Sequence, residues 1–190
     1  MPPFASRKQA LKYIRQKSRS LPIHECLVNT EWREAGIGNF FISRQMPSGN
    51  FVIAMFLVDI YCLGVKNALY NVNLTPAEYE ELRERFEVSS EGGLETVDVN
   101  FFHNLIYGAI DFAEEYGFQP HRDFAIAEYL LDPGLITDEI DEIEFGQDGL
   151  PHFFQGPNDS NADLIRIIKT LEKTAGKGNF HYSYLAESSR

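Results

Sequence analysis

The pattern of hydrophobic and polar positions along this chain predicts strands in two groups, with helices before, between and after them. The longest apolar run starts at Phe51 with eight uninterrupted apolar residues and continues, past Asp59, to Lys66. Its β-branched and aromatic residues, bounded by Gly49 and Gly64, favour a strand buried on both faces over a buried helix. We therefore expect this segment to be a central strand and the centre of the core.

Shorter runs predict the remaining strands, because their apolar residues alternate with polar ones or are bounded by turn residues. Together with the long run, the predicted strands cover residues 23–28, 39–45, 51–66, 124–131, 140–145 and 150–154. Pro47 and Gly49 supply the fixed and the permissive φ of a hairpin turn before the long run. Pro151 marks the last strand as an edge strand, because proline cannot donate to a ladder.

Apolar residues at helical spacing predict four helices. These cover residues 6–20, 75–87, 97–116 and 160–176. The second begins with a capping box, in which Thr75 can cap, Pro76 suits the first helical position and Glu78 can reach back. The third is the principal core helix, and Gly117 follows it where a left-handed C-terminal cap is wanted.

Strands in two groups around a helical middle predict an α+β fold with a largely antiparallel sheet, helices packed on one face and a basic N-terminal helix. The chain has 190 residues, 44% of them hydrophobic, and can bury one substantial core. We expect residues 1–20 to form the basic helix. Residues 21–190 should form a single domain with a weakly ordered C-terminal tail.

Charge is unevenly distributed along the chain, whose net charge is −11. The N-terminal helix concentrates six cations: Arg7, Lys8, Lys12, Arg15, Lys17 and Arg19. No acidic residue precedes Glu25, whereas acids far outnumber bases in residues 75–148. The basic helix can contact an acidic protein or the phosphates of RNA, while the acidic remainder repels nucleic acid. Alternatively, the helix docks on its own acidic domain.

Cysteine content and the N-terminal residues predict a soluble cytoplasmic protein. The chain has two cysteines, Cys26 and Cys62, and neither a disulfide framework nor a Cys-x-x-Cys pair. The N-terminus lacks the apolar region of a secretory signal, and the run from Phe51 is too short to span a bilayer. We therefore expect no membrane partner.

Common catalytic and cofactor motifs are absent from the sequence. It has no Walker loop, no Gly-x-Gly-x-x-Gly fingerprint, no Gly-x-Ser-x-Gly elbow and no His-Glu-x-x-His helix. We therefore expect no nucleotide or other cofactor, and we assign no metal ligands because no zinc signature occurs. The acidic residues 138–144 lack the spacing of a Ca²⁺ loop and form either a solvated edge or a docking surface.

Asp59 and Cys62 are the first candidates for chemistry. A carboxylate at the end of an apolar strand must be paired, hydrogen-bonded or functional, and Lys66 or Arg44 could pair with Asp59. Cys62 could act as a nucleophile if a histidine approached it and Lys66 lowered its pKa. A cysteine among apolar residues is more often a small buried hydrophobe.

Two histidine segments complete the set of candidates. His121-Arg122-Asp123 is similar to the catalytic loop of protein kinases, but the other kinase motifs are missing, and a polar turn is the simpler interpretation. His103 lies on a polar helical stripe that is either a seam within the fold or the wall of a cleft. Enzymatic chemistry would require these histidines to meet Asp123 and Asp59 in one cleft.

Four segments resemble a family of bacterial hypothetical proteins that has no assigned reaction. These segments are LVDIYCLGVK from Leu57, YGAIDFA from Tyr107, GFQPHRDF from Gly117 and FGQDGLP from Phe145. The resemblance covers roughly residues 22–157 and implies a bacterial, cytosolic protein. It marks as site candidates Asp59, Cys62, Lys66, His121 and Asp123. Some members carry an SEC-C-type zinc motif, which implies work linked to nucleic acid or the ribosome, but this chain lacks the cysteines for it.

Three functions follow from these observations. The first is a non-enzymatic binding or regulatory module that contacts a macromolecular partner, most simply a protein, through the basic helix or residues 138–144. The second is a small metal-dependent or hydrolase-like enzyme with a cleft around His121. The third is an RNA- or ribosome-associated protein whose affinity, carried by the basic helix, falls steeply with salt. The lack of a complete catalytic set favours the first.

Overall fold

The computed structural model describes residues 4, 6–90, 92–137, 143–157 and 159–184. Its strands are β1 (Ile23–Asn29), β2 (Ile37–Gln45), β3 (Phe51–Asp59), β4 (Gly64–Leu74), β5 (Leu94–Thr96), β6 (His152–Phe154) and β7 (His181–Ser183). The first five form an antiparallel sheet in the order β4-β3-β2-β1-β5. The last two form a small parallel sheet.

Helices lie on both faces of the main sheet. Those in the described residues are α1 (Arg7–Lys17), α2 (Trp32–Ala35), α3 (Pro76–Ser89), α4 (Val99–Glu115), α5 (Phe124–Ala127) and α6 (Asn161–Thr174). Short 3-10 turns occupy Ser18–Ser20, Glu128–Leu130 and Pro133–Leu135. The antiparallel sheet, the helices and the N-terminal helix confirm the predicted α+β fold.

The middle of the sheet is buried on both faces, which explains its long apolar run. Phe40 of β2 packs against Phe102 of α4, with ring centroids 5.8 Å apart. Its neighbour Phe41 packs against Phe86 of α3 at 5.5 Å. Because successive side chains of a strand point to opposite faces, a strand covered on both sides has no polar face. The predicted helical layer lies on the α4 face, and α3 adds a second layer opposite it.

The start of α3 has the predicted capping box. The Thr75 hydroxyl accepts the backbone N–H of Glu78, and the Glu78 carboxylate accepts the backbone N–H of Thr75 at 2.8 Å. One turn in, Tyr79 stacks on Phe51 with ring centroids 4.1 Å apart. The cap therefore fixes where α3 begins to pack on its face of the sheet.

The apolar run from Phe51 contains two strands rather than one. β3 ends at Asp59, residues 60–63 form a turn, and the chain returns as β4. The predicted strand at residues 51–66 is therefore wrong beyond Asp59, and the pattern misses most of β4. The apolar composition is continuous through the turn because the turn itself is buried, with Cys62 0% exposed.

Two features of that turn bring the chain back. The Oδ1 atom of Asp59 accepts the backbone N–H groups of Tyr61 and Cys62 at 3.0 and 2.9 Å. Gly64 has a φ of +64°, and a Cβ at this position would lie 2.9 Å from the carbonyl oxygen of Ala109. Glycine therefore allows both the left-handed backbone and the close approach of α4.

The strand predicted at residues 124–131 is wrong. This segment forms α5 followed by the 3-10 turn Glu128–Leu130. Phe124, Ala127 and Leu131 reach the main core from this segment. Their spacing suits a helix, and a short apolar run does not distinguish a buried helix from a strand. Of the strand predicted at residues 140–145, residues 140–142 lie outside the described residues, and residues 143–145 form no strand.

The C-terminal elements pack as a smaller unit beside the sheet. β6 covers residues 152–154 of the strand predicted at residues 150–154, and α6 begins after its cap at Ser160, as predicted. Ile167 and Leu171 of α6 pack with Phe118 and Phe153 in a separate apolar cluster. Residues 185–190 of the predicted tail lie outside the described residues, whereas the segment before them forms β7.

Candidate functional site

The first candidate surface is the exposed face of α1, whose opposite face docks on the rest of the protein. Ser6 caps the helix by accepting the backbone N–H of Gln9 at 3.3 Å. Ile14 is 1% exposed and belongs to the main core. Leu11 and Tyr13 pack at its edge. The basic helix therefore does dock on its own domain, through its narrow apolar face.

Arg19 takes part in this internal contact. Its Nε donates to the backbone carbonyl of Leu131 at 2.8 Å, and its Nη2 donates to that of Glu128 at 3.3 Å. Its guanidinium carbon also lies 5.5 Å from the ring centroid of Tyr129. Because two backbone acceptors already hold this side chain, we set Arg19 apart from the other basic residues of the N-terminal segment.

The remaining basic residues of the helix are exposed. They are Arg7, Lys8, Lys12, Arg15 and Lys17, called the α1 cations below. None of them forms a salt bridge within the described part of the chain. Lys8, Lys12 and Arg15 stand at positions i, i+4 and i+7, so they share one side of the helix. As far as the described residues go, α1 thus presents positive charge to solvent with no salt-bridge partner.

The second candidate is a polar cleft of about 530 Å³ between the start of β4, the segment that follows α4 and the first half of α6. Lys66 and His121, both predicted as site residues, line it together. Lys66 Nζ pairs with Asp159 Oδ2 at 2.9 Å, and Arg166 pairs with Asp163 at 3.3 Å. Each of these cations already has its own carboxylate, so the cleft offers no clear charge preference to a ligand.

His121 and Asp123 close a turn at the edge of this cleft. Nδ1 of His121 accepts the backbone N–H of Asp123 at 3.3 Å and lies 4.0 Å from its carboxylate. The backbone N–H of His121 donates to the carbonyl of Val65 in β4 at 2.8 Å. This geometry agrees with the polar-turn interpretation, in which the histidine orders the chain between α4 and α5.

Asp59 and Cys62 lie in the buried turn between β3 and β4, with exposures of 6% and 0%. Burial raises the pKa of the Asp59 carboxyl to about 6, although Lys66 and the backbone N–H groups that it accepts act in the opposite direction. Burial also raises the pKa of the Cys62 thiol, and the nearby Asp59 adds to the rise. A thiol that keeps its proton is a poor nucleophile, so this environment favours a structural cysteine.

His103 lies elsewhere, fully buried beneath the sheet. Its Nδ1 is 2.6 Å from the carbonyl of Val99, one turn earlier in α4, and burial lowers its pKa. Arg44 of β2 approaches the same region, where it donates to backbone carbonyls that include Leu130. Arg44 therefore binds the backbone, and the ion pair with Asp59 that the sequence allowed does not form.

The predicted site residues thus fall into three places. Lys66 and His121 share the polar cleft, with Asp123 beside it. Asp59 and Cys62 share the buried turn, and His103 lines neither. The structure therefore does not bring together the two histidines and two aspartates that an enzymatic site would need.

Sequence reasoning misses the residues that complete the cleft. Asp159 reaches Lys66 across 93 positions of the chain, and Arg166 comes from the first half of α6. The one local signal near them is the helix cap at Ser160. A cap predicts where a helix begins, but it does not predict which strand the helix packs beside.

No group of three or more His, Cys, Asp or Glu side chains in the described residues is arranged to hold a metal ion. The helices of the described residues include none long and apolar enough to cross a membrane. Comparisons with protein-family models, curated proteins and solved structures found no match.

Proposed function

We propose that this protein is a non-enzymatic binding module that contacts an acidic segment of a partner protein through the α1 cations. The observation that supports it is the set of five exposed cations, which have no salt-bridge partner among the described residues, on a helix whose other face is buried. Because Ile14 anchors the helix, the cations are held on a fixed support, which reduces the ordering cost of binding. Such a surface attracts negative charge and speeds the encounter with it.

An acidic protein segment fits this surface better than RNA does. All 28 acidic residues of the chain lie beyond the basic helix, and the net charge is −11. A long polyanion that extends past α1 would meet this acidic remainder and be repelled. A short acidic segment can stay on the helix. The bacterial cytoplasm is the setting that the family resemblance implies.

The enzymatic alternative has less support. It requires Asp59, His103, His121 and Asp123 to act together, but the first accepts backbone N–H groups in a buried turn and the second contacts its own helix backbone. The polar cleft contains His121 without an activated nucleophile beside it among its lining residues. A binding role needs none of these groups to meet.

The test neutralises one side of α1 without shortening its side chains much, by the triple substitution Lys8→Gln, Lys12→Gln and Arg15→Gln. The probe is a fluorescently labelled oligo-glutamate peptide, and binding is measured by anisotropy over a range of salt concentrations. Since an exposed ion pair contributes about 0.2 to 1 kcal/mol, losing three pairs should weaken binding by a factor of roughly 3 to 150. Salt should weaken binding to the wild type.

The matched control removes three positive charges elsewhere, by Lys169→Gln, Lys173→Gln and Lys177→Gln. It should bind the peptide like the wild type. Equal losses in both triple variants would mean that only net charge matters and would overturn the assignment to α1. Tighter binding of single-stranded RNA than of the peptide at the same salt would favour the RNA role. No binding of the peptide to the wild type would refute the proposal.

A further inference from the structure

The two edge strands of the main sheet differ in how well they are protected against pairing with a strand of another chain. β5, at one edge, has three residues and carries the exposed Glu95. β4, at the other edge, has 11 residues. A short, charged edge strand resists pairing with another chain, whereas a long edge strand offers a row of free backbone donors and acceptors.

The β4 edge lacks two of the usual protections between Asn67 and Asn73, although irregular pairing with β3 at Lys66 and at Asn73 flanks the stretch. This stretch reads Asn-Ala-Leu-Tyr-Asn-Val-Asn and contains neither a charged residue nor a proline. Among the described residues, the one backbone hydrogen bond from β4 to a segment other than β3 joins the carbonyl of Val65 to His121, before this stretch begins. The backbone N–H of Val72 donates to the side-chain oxygen of Asn71 at 2.8 Å, and apart from this group the described residues leave the stretch open to another strand.

An apolar groove of about 720 Å³ runs beside this open edge, between α3 and strands β3 and β4. Met55 and Leu57 of β3 and Leu82 and Phe86 of α3 line it. Leu69 of β4 also lines it and is 51% exposed. The open edge thus continues into an apolar surface on the α3 face of the sheet.

We propose that the β4 edge is a homodimer interface, in which β4 of a second copy pairs with it in antiparallel orientation around a two-fold axis. A strand paired with itself in this way is self-complementary and closes the assembly at two copies. Because each copy has a net charge of −11, two copies approach most easily where the surface carries no charge. The stretch from Asn67 to Asn73 is such a place.

The dimer joins two five-stranded sheets into one continuous sheet. Equivalent residues of the two copies then face the same side, since the two-fold axis is perpendicular to the sheet. Both Leu69 side chains lie on the α3 face, close to the axis, and the two grooves become neighbours across it. Pairing therefore satisfies the free backbone groups of β4 and reduces the exposure of Leu69.

The test measures the mass of the full chain by sedimentation equilibrium at micromolar concentrations. The wild type should be a dimer. Leu69→Lys places a charge on the edge of each copy, as natural edge strands often do, and should give a folded monomer. Ile165→Lys is the matched control, because Ile165 is 54% exposed on α6, and it should remain a dimer. A monomeric wild type would overturn the proposal.

Hydrogen exchange supplies a second readout at the level of the strand. Exchange at residues 67–73 should slow as the concentration of the wild type rises, and it should not depend on concentration in Leu69→Lys. A dimer whose exchange in this stretch is the same as that of the monomer would place the interface elsewhere and contradict the proposal. Circular dichroism checks that each variant is folded.

Dimerisation at β4 is independent of binding at α1, and salt distinguishes the two. Salt screens the repulsion between two copies of net charge −11, so the dimer should hold or tighten as salt rises, whereas peptide binding should weaken. The triple variant of Lys8, Lys12 and Arg15 should remain a dimer. A dimer that dissociates in that variant, or on adding salt, would indicate charge-driven association and overturn the proposal.

Discussion

Arg44 Nε donates a hydrogen bond of 2.7 Å to the backbone carbonyl of Leu130, which joins β2 to a segment 86 positions away. Its Nη1 donates to the carbonyls of Leu21 and Arg19 at 2.6 and 3.1 Å. Arg44 is 3% exposed, and its hydrogen bonds to Leu130 and Leu21 are buried. One side chain therefore ties the end of the N-terminal segment and the turn after α5 to the same strand.

Replacing Arg44 with lysine should destabilise the protein by about 2 to 3 kcal/mol, because one ammonium cannot reach three carbonyls as the guanidinium does. The loss of stability comes from carbonyls that are left in the interior without a hydrogen-bond donor. Arg85→Lys, at an exposed position of α3, is the control and should change stability little. Urea unfolding measures both. Equal stability of the two variants would show that the three hydrogen bonds contribute little.

Gly64 and Gly49 provide a matched pair for the cost of close packing. Both have positive φ, +64° and +85°, but a Cβ at Gly49 would meet nothing within 4 Å. Gly49→Ala should therefore cost only the backbone strain, about 1 kcal/mol. Gly64→Ala should cost roughly 3 kcal/mol, since α4 must also move away from β4. Similar losses in thermal unfolding would mean that α4 adapts without cost.

Ionisation of Asp59 should make the protein less stable as pH rises through about 4 to 6. Burial raises the pKa of Asp59 from 3.8 to about 6. At pH values between these two, the folded state holds a proton that the unfolded state has lost. The protonated carboxyl therefore stabilises the folded state most at about pH 4 and below, and this stabilisation is lost above about pH 6. Over this pH range the free energy of unfolding should fall by roughly 3 kcal/mol.

Asp59→Asn isolates this effect, because the amide oxygen can still accept the N–H groups of Tyr61 and Cys62 but cannot ionise. Urea unfolding at about pH 4 and about pH 8 should show a smaller loss of stability for the variant than for the wild type. Asp59→Ala removes the acceptor and should be less stable than Asp59→Asn at both pH values. Parallel pH profiles of wild type and Asp59→Asn would contradict the buried carboxyl.

Local sequence signals predict the helix ends well, because a cap is made by residues close together in the chain. Thr75 and Glu78 form the predicted capping box. Gly117 has the predicted left-handed backbone, with a φ of +85°. Segment 124–131 fails because burial, not local propensity, selects its conformation. A short apolar run does not by its pattern alone distinguish a buried helix from a strand.

The candidate site is less predictable, because its contacts join distant segments. Pairing of Lys66 with Asp159 depends on how α6 packs beside β4, and no spacing within the chain encodes that. The sequence alone predicts that the cations of α1 lie on one basic helix. Only the tertiary structure shows that they have no salt-bridge partners in the described residues and that Arg19 is held by backbone carbonyls instead.

Docking of α1 through Ile14 gives the last prediction. Ile14 is 1% exposed, so Ile14→Ala should cost about 2 to 4 kcal/mol through lost burial and an incompletely filled cavity. Since an isolated helix of this length is marginal, hydrogen exchange should accelerate most in residues 7–17. Gln16→Ala, at an exposed position of the same helix, should leave stability and exchange nearly unchanged.

Loosened docking should also weaken binding of the acidic peptide, because the α1 cations would lose their fixed support. Faster exchange spread evenly over the sheet would instead mean that α1 unfolds only together with the whole protein.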